Sequence, residues 1–383
     1  VESGLSHFLE HMCFKGTDRF PSAKAITETF ESLGAISNAF TTHEYTGYYA
    51  KGSPKHISTF IEVLSDIYLH STFPDVEIQK EKGVVIEEIN MYEDMPQQKV
   101  GLALLDLMYG DQPAGWPVIG NKETVMSFTR DNLMSYVARH YHAENTLVVL
   151  AGAIEPTEVL KKVKSSFSTI PAARRATKKK VVEKQTGVVA RVITKDSDQA
   201  HVAIGFRALP VGHKDAPVLS LLATILGRGM SSRLFQKLRE ELGVAYYVGA
   251  GAEAFTDHGI FEISAGLDKN RLSEVLKEIV LILKDIKTTL VSDQELAKAR
   301  EYALGMMRLG LESSDDMAGF YGAQLLLKGT VETPDEIARK YKAVTVQDIR
   351  RLAQKLFTSS KCNLAIVGPY TDPTTLKAPF LSL

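Results

Sequence analysis

VTVQDIRRLAQKLFTSSKCNLAIVGPY, residues 344–370, repeats the pattern of FTRDNLMSYVARHYHAENTLVVLAGAI, residues 128–154. Thr129, Leu133, Tyr141 and Gly152 recur as Thr345, Ile349, Phe357 and Gly368 at identical internal spacing. In both stretches, apolar residues at helical spacing give way to a continuous apolar run, which predicts an amphipathic helix followed by a strand. Upstream, PDVEIQKEKGVVIEEI (74–89) and VSDQELAKAREYALGM (291–306) form a second matched pair. Each opens like a capped helix with acids in its first turn. Two matched pairs in the same order are the mark of an internal duplication.

The 383 residues are enough for two ordinary domains. The expected fold is α+β, with two homologous αβ domains, each an antiparallel-rich sheet packed by helices. Residues 1–172 and 187–383 are the expected domains, joined by a linker at 173–186. NAFTTHEYTGYYAKG (38–52) and AYYVGAGAEAFTDHGIFEISAGL (245–267) read as hairpins with Gly-marked turns. ARRATKKKVVEKQTG (173–187) is basic without hydrophobic periodicity, so a solvated connector is expected there rather than a nucleic-acid contact. The copies differ at their starts. AHVAIGFRALPVGHKDAPVLSLLATIL (200–226) precedes Gly229-Met230-Ser231, whereas the first half begins at Gly4-Leu5-Ser6, so roughly 40 residues are expected to be missing in front.

Composition narrows the class. Hydrophobic residues at 44% and charged residues at 24% describe a soluble globular protein. A formal net charge of -1 points to neither a nucleic acid nor a membrane surface as partner. No apolar run approaches the ~18 residues of a membrane span. Cys13 and Cys362 alone give no disulfide framework, which favours a reducing compartment and a cytoplasmic location. Val1 is not an initiator methionine, which leaves room for a targeting segment ahead of it.

LSHFLEHMCF (5–14) has helical spacing, so His7 and His11 fall about 40° apart on one face, with Glu10 on the same side. Imidazoles so placed can meet one Zn²⁺ at ~2.0–2.1 Å. A helix with two ordinary polar histidines has the same spacing, and the pair alone does not decide between the two. H-x-x-E-H in full is the inverzincin pattern. A catalytic zinc needs a third protein ligand, and the acid-rich helix expected near residues 75–93 can supply it. Ile78, Val85, Ile89 and Tyr92 mark its apolar stripe. Glu88 lies about 60° from Val85, at the edge of the stripe, whereas Glu87 lies about 160° away, toward solvent. Glu88 is therefore the expected ligand. Glu81, seven residues earlier, projects the same way and is expected to orient a histidine from behind.

HFLEH followed by 69 residues, Glu81, six residues and Glu88 resembles the pitrilysin–insulysin–mitochondrial processing peptidase family of zinc peptidases. GLSHFLEHMCFKGT, NAFTTHEYTGYYAK and GMSSRLFQKLREELGVAYYV carry the same resemblance, closest to the bacterial processing-protease branch. It runs over nearly the whole chain. The resemblance implies two related αβ domains, the second without its metal site, and indeed Ala299 and Met306 stand opposite Glu81 and Glu88. It implies a zinc endopeptidase acting on peptides or unfolded segments in a closed chamber. Zinc would be held by His7, His11 and Glu88, with Glu10 as general base. Arg239 and Tyr246 would stabilise the oxyanion, and Asn38, Ala39, Phe40 and Thr41 would form the edge strand that takes the substrate. Members that favour arginine carry acids where this chain has Gln98 and Leu102, so no strict arginine rule is implied.

In split family pairs one chain carries zinc and the other the Arg–Tyr pair. This chain has both, which implies a homodimer with each site completed in trans. The alternative is a non-catalytic scaffold, or one subunit of a heterodimeric protease; such chains lose ligands or the base, and here all are present. Cys13 is expected in the core, and His140 and His142 are expected to cap carbonyls or face solvent. Gly227-Arg228-Gly229 lacks the Lys-Ser/Thr of a phosphate loop. Trp116 has no assigned role.

Overall fold

The computed structural model describes residues 2–174 and 177–383; Val1 lies outside the described residues, as do Arg175 and Ala176 within the basic stretch expected to be a linker. The matched sequence pairs fold into matched helices. The first half contains α1 (Leu5–Cys13), α2 (Ala23–Ser32), α3 (Ile57–Leu69), α4 (Asp75–Asp94), which is one of the matched helices, and α5 (Pro96–Tyr109). The counterpart of α4 is the helix Asp293–Leu309. The repeat helices Arg130–His140 and Val346–Leu356 both start with a capping box, Thr129 with Asn132 and Thr345 with Asp348. In each box two otherwise orphaned backbone donors are satisfied reciprocally, which fixes where the helix begins.

The strands are β1 (Ile36–Thr41), β2 (Thr46–Lys51), β3 (Val189–Thr194), β4 (Gln199–Arg207), β5 (Ala245–Ala254), β6 (Gly259–Asp268) and β7 (Cys362–Gly368). β1 and β2 form an antiparallel hairpin with Asn38 opposite Tyr49 and Thr41 opposite Thr46. The other five make one sheet in the order β3-β7-β4-β6-β5, in which only the β3–β7 pair is parallel.

One expected strand is not formed. β7 follows the second repeat helix and is held between β3 and β4. Residues 146–152, which follow the first repeat helix, have no strand geometry, and Val148 and Val149 are 37% and 40% exposed. Among the described residues of the first half no strand corresponds to β3 or β4, so this apolar run has no ladder to join. A strand without neighbours leaves its backbone groups unpaired, and apolar sequence alone does not make one.

The chain divides into two compact units, Val1–Met91, Trp116–Lys179 and Ser313–Gly322 in the first, and Tyr92–Gly115, Lys180–Glu312 and Ala323–Leu383 in the second. This departs from a simple division at residues 172 and 187. In each half the segment after the long helix, α4 or Asp293–Leu309, passes to the other unit. The physical reason is clearest for α5. It lays Val100, Ala103, Leu104 and Met108 against Ala203, Ala365 and Val367 on one face of the five-stranded sheet. Gly205 of β4 permits this approach, since a Cβ there would lie 2.6 Å from Met108 Sδ. The other face, with Val202, Ile204, Phe206, Phe261, Ile263 and Ile366, packs under the helices Ala216–Gly227, Leu272–Thr288 and Val346–Leu356. Both faces are covered, so strand residues of either parity are apolar.

In the first unit, Ile26 and Phe30 of α2 pack with Phe60, Val63 and Ile67 of α3. Each such side chain contributes ~1.5–3 kcal/mol on burial. Among the described residues no helix is long and apolar enough to cross a membrane.

Candidate metal centre

The helix that carries His7 and His11 is anchored by two glycines. Gly4, the residue before α1, has φ 87°, and a Cβ on it would lie 2.7 Å from the Cα of Gly120. Only glycine fits that left-handed, closely packed start. Leu5, Phe8, Leu9 and Met12 then bury one face of α1, leaving the imidazoles on its polar side. The rings of His7 and His11 are 4.6 Å apart between centroids.

α4 supplies the acid from the face its stripe dictates. Ile78, Val85 and Ile89 are buried, Glu88 is half-buried and Glu87 is exposed. Glu88 Oε2 lies 3.8 Å from His7 Nε2 and 3.9 Å from His11 Nε2. These donors fall within 4.8 Å of one another and form the one such cluster among the described residues. The separations exceed hydrogen-bond length but come near the ~3.4 Å edge of a tetrahedron with ~2.1 Å bonds. Two imidazole nitrogens and one carboxylate oxygen are the donor set of a catalytic zinc with an open fourth position. Burial, followed by the neighbouring charge of His11, pushes the His7 pKa down to about 4, which keeps its imidazole in the neutral, ligating form.

Glu81 stands behind His11, with Oε1 2.8 Å from Nδ1. With Nδ1–H donating to that carboxylate, Nε2 is left free to ligate. Glu81 Oε2 is 2.5 Å from Lys15 Nζ. Burial alone pushes the Glu81 carboxyl up, but the hydrogen bonds from His11 and Lys15 outweigh it and hold the pKa below the usual range.

Glu10 is 8% exposed and accepts a hydrogen bond from the Thr41 hydroxyl. The Thr41 and Thr46 hydroxyls are 3.1 Å apart, and Thr46 and Ser6 likewise, so a hydroxyl chain links β1 and β2 to α1. Burial raises the Glu10 pKa, with the Thr41 hydrogen bond and His11 only partly opposing it. That is the direction expected of a carboxylate working as a base near neutrality.

β1 ends at this carboxylate. Asn38 and Phe40 are exposed, while Ala39 and Thr41 are half-buried. β1 pairs with β2 alone, so among the described residues its second edge is open. Arg239 and Tyr246 belong to the second unit. Arg239 sits on a π-helical turn, Gln236–Glu241, with its guanidinium carbon 5.4 Å from the Phe235 ring, and it donates to the backbone carbonyl of Tyr246. Tyr246 is 72% exposed at a register shift between Ala245 and Tyr247. A π-turn and a bulge both re-aim side chains and recur at functional sites.

Other residues sort as follows. Cys13 is a buried core thiol, bonded by the Tyr48 hydroxyl at 3.4 Å and pushed up to about 11 by burial. His140 is half-buried against the Tyr136 ring, 4.4 Å away. The His142 side chain makes no capping hydrogen bond and does not meet solvent; it is fully buried, with Nε2 3.2 Å from Asn145 Nδ2. Asn145 also donates to the His140 carbonyl, and so does the capping expected of the histidines. Lys15 and the Thr41–Glu10 bond were not legible in the sequence. Lys15 stands four residues past His11, and that helical spacing was the one available signal.

The family model described as insulinase (peptidase family M16) matches residues 1–122, and the peptidase M16 inactive-domain model matches residues 127–302. A Bacillus subtilis (strain 168) protein named "Uncharacterized zinc protease YmxG" is 38% identical over 367 residues, covering 96% of this chain and 88% of that protein. A Rickettsia bellii (strain RML369-C) protein named "Uncharacterized zinc protease" is 32% identical over 369 residues, with 96% and 88% covered. The structure of a protease from Helicobacter pylori matches with a TM-score of 0.90 at 24% identity, covering 96% of this chain and 89% of that one. A peptidase M16 inactive domain from Pseudomonas fluorescens matches at 0.86 and 19%, with 97% and 90% covered. These two likenesses carry the fold alone. With relatives named zinc proteases aligned over nearly its whole length, and the HxxEH helix facing Glu88, the chain belongs to the M16 (insulinase) family of zinc peptidases, with Zn²⁺ as its cofactor.

Proposed function

We propose that the chain is an active endopeptidase that hydrolyses peptides or unfolded segments in the manner of the processing peptidases. The observation that carries this reading is completeness. His7, His11 and Glu88 converge, and a buried Glu10 held by Thr41 stands on the same helix. Zinc, when bound, supplies a Lewis acid and a water of lowered pKa. His7, His11 and Glu88 would hold it. Glu10 takes the proton of the attacking water and returns it to the leaving amine, and Thr41 fixes the carboxylate for that exchange. The open edge of β1, from Asn38 to Thr41, takes an extended peptide through main-chain hydrogen bonds, which makes side-chain selection broad.

The Arg239 guanidinium and the Tyr246 phenol donate to the developing oxyanion from a second copy of the chain, in a two-fold homodimer whose closed chamber excludes folded domains. The exposure of both side chains supports their reaching a partner's substrate. A second reading, a non-catalytic scaffold or one subunit of a heterodimer, is favoured by the inactive-domain match, but residues 127–302 contain none of the metal ligands. The test is reconstitution. Chelated protein should cleave neither an unstructured peptide nor a folded domain, and one equivalent of zinc should restore cleavage of the peptide alone. Zinc-loaded protein that leaves the peptide intact would favour the scaffold.

A further inference from the structure

The two imidazoles of the centre are not supported alike. His7 Nδ1 is buried with no hydrogen-bond partner, whereas His11 Nδ1 lies 2.8 Å from Glu81 Oε1. The second oxygen of Glu81 is 2.5 Å from Lys15 Nζ, and the two side chains are 5% and 22% exposed. Lys15 lies just past the end of α1 at Cys13. One short segment thus delivers a ligand, His11, and the cation that holds that ligand's hydrogen-bond acceptor.

We propose that Lys15 is a positioning residue for metal binding: it clamps one oxygen of Glu81 so that the other stays on His11 Nδ1 and His11 Nε2 stays aimed at the metal. The proposal rests on His7, His11 and Glu88 being the zinc ligands. The terminal torsion of a glutamate is broad and soft, so a carboxylate held at one oxygen can swing away from its partner. A carboxylate held at both cannot. The clamp is charge-assisted, and the Glu81 carboxylate, 5% exposed, lies where water competes least for it. A competing effect has the opposite sign, because a lysine cation repels a metal cation. Here Glu81 neutralises Lys15 at contact distance, so the metal faces an ion pair rather than a free charge.

The effect of Lys15→Met on the zinc dissociation constant, measured by competition with a chromophoric chelator, separates these accounts. Loss of the carboxylate directly behind a metal-ligating histidine typically costs about 10–100-fold in affinity; Lys15→Met leaves Glu81 in place but unclamped, so a weakening at the lower end of that range, about 10-fold, is expected. Lys15→Arg, which keeps the cation, should recover most of it. In a Glu81→Gln background Lys15→Met should cost less than roughly threefold, since residues acting in one chain are not additive. A merely structural lysine would lower the melting temperature of the metal-free protein and leave the zinc constant alone. Wild-type or tighter zinc binding by Lys15→Met, or the full loss persisting beside Glu81→Gln, overturns the proposal. If Lys15→Met does not fold, Lys15→Leu, which likewise carries neither donor nor charge, is read by the same criteria. Failure of the wild type to bind zinc, or Glu88→Gln binding it normally, would instead contradict the ligand assignment beneath the proposal.

Discussion

Removing the imidazole of His7 should flatten the acid sensitivity of the metal-free protein. In the folded chain burial, then the charge of His11, hold the His7 pKa at about 4 against an ordinary 6.5. Its side chain is 13% exposed, so little of this is lost to solvent screening. Because the folded pKa is depressed, the unfolded chain takes up the proton first. The stabilising share of the neutral imidazole is whole above pH 6.5 and declines as the pH falls from there toward 4. Between pH 8 and pH 5 the loss comes to about 2 kcal/mol, approaching about 3.4 kcal/mol below both values. Urea denaturation in EDTA at pH 8 and pH 5, for the wild type and His7→Gln, measures the difference directly. The wild type should lose about 2 kcal/mol more than the variant across that interval. Equal losses would show that His7 is not a buried neutral imidazole, and the argument for a preformed ligand would fail.

Glu88→Gln should bind far less zinc than the wild type, whereas Glu87→Gln, altered on the exposed face of α4, should keep one zinc per chain; metal analysis after dialysis decides, and the reverse result refutes the helix-face reasoning. Gly4→Ala forces a Cβ to 2.7 Å from the Gly120 backbone at positive φ, and should cost at least about 2 kcal/mol with a matching fall in melting temperature. Gly83→Ala, where a Cβ meets nothing within 4 Å inside α4, should instead stabilise by about 0.5–1 kcal/mol. Mixing inactive Glu10→Gln with inactive Tyr246→Phe protein should regenerate part of the activity through heterodimers with one intact site. If subunits exchange and the mixture stays inactive, completion in trans is wrong.

What could be read from the sequence followed local periodicity. The choice of Glu88 over Glu87 needed only the positions of Ile78, Val85 and Ile89 on a helix, and burial along α4 agrees with it. The two repeat helices were likewise marked by Thr129 and Thr345 at their starts. Features set by distant partners were not legible. The apolar run at 146–152 has the composition of β7, but composition does not say whether neighbouring strands exist to pair with it. The apolar side chains of α5 announce a buried face, yet nothing in them specifies the sheet containing Gly205 as the surface they cover. The cap expected of His142 is made instead by Asn145, three residues on, whose amide donates to the His140 carbonyl. The bulge at Tyr246 and the π-turn under Arg239 leave no mark on the side-chain pattern, and Lys15 belongs to no motif whose chemistry demands a lysine.

The most direct measurement of the central claim is the hydrolysis rate of an unstructured peptide by Glu10→Gln and wild-type protein at equal zinc content. Glu10 holds no metal in this account and serves only to move the proton of the attacking water. The variant should therefore keep its fold and its zinc while losing at least about 10²–10⁴-fold in turnover. Near-normal cleavage by zinc-loaded Glu10→Gln protein would contradict the account.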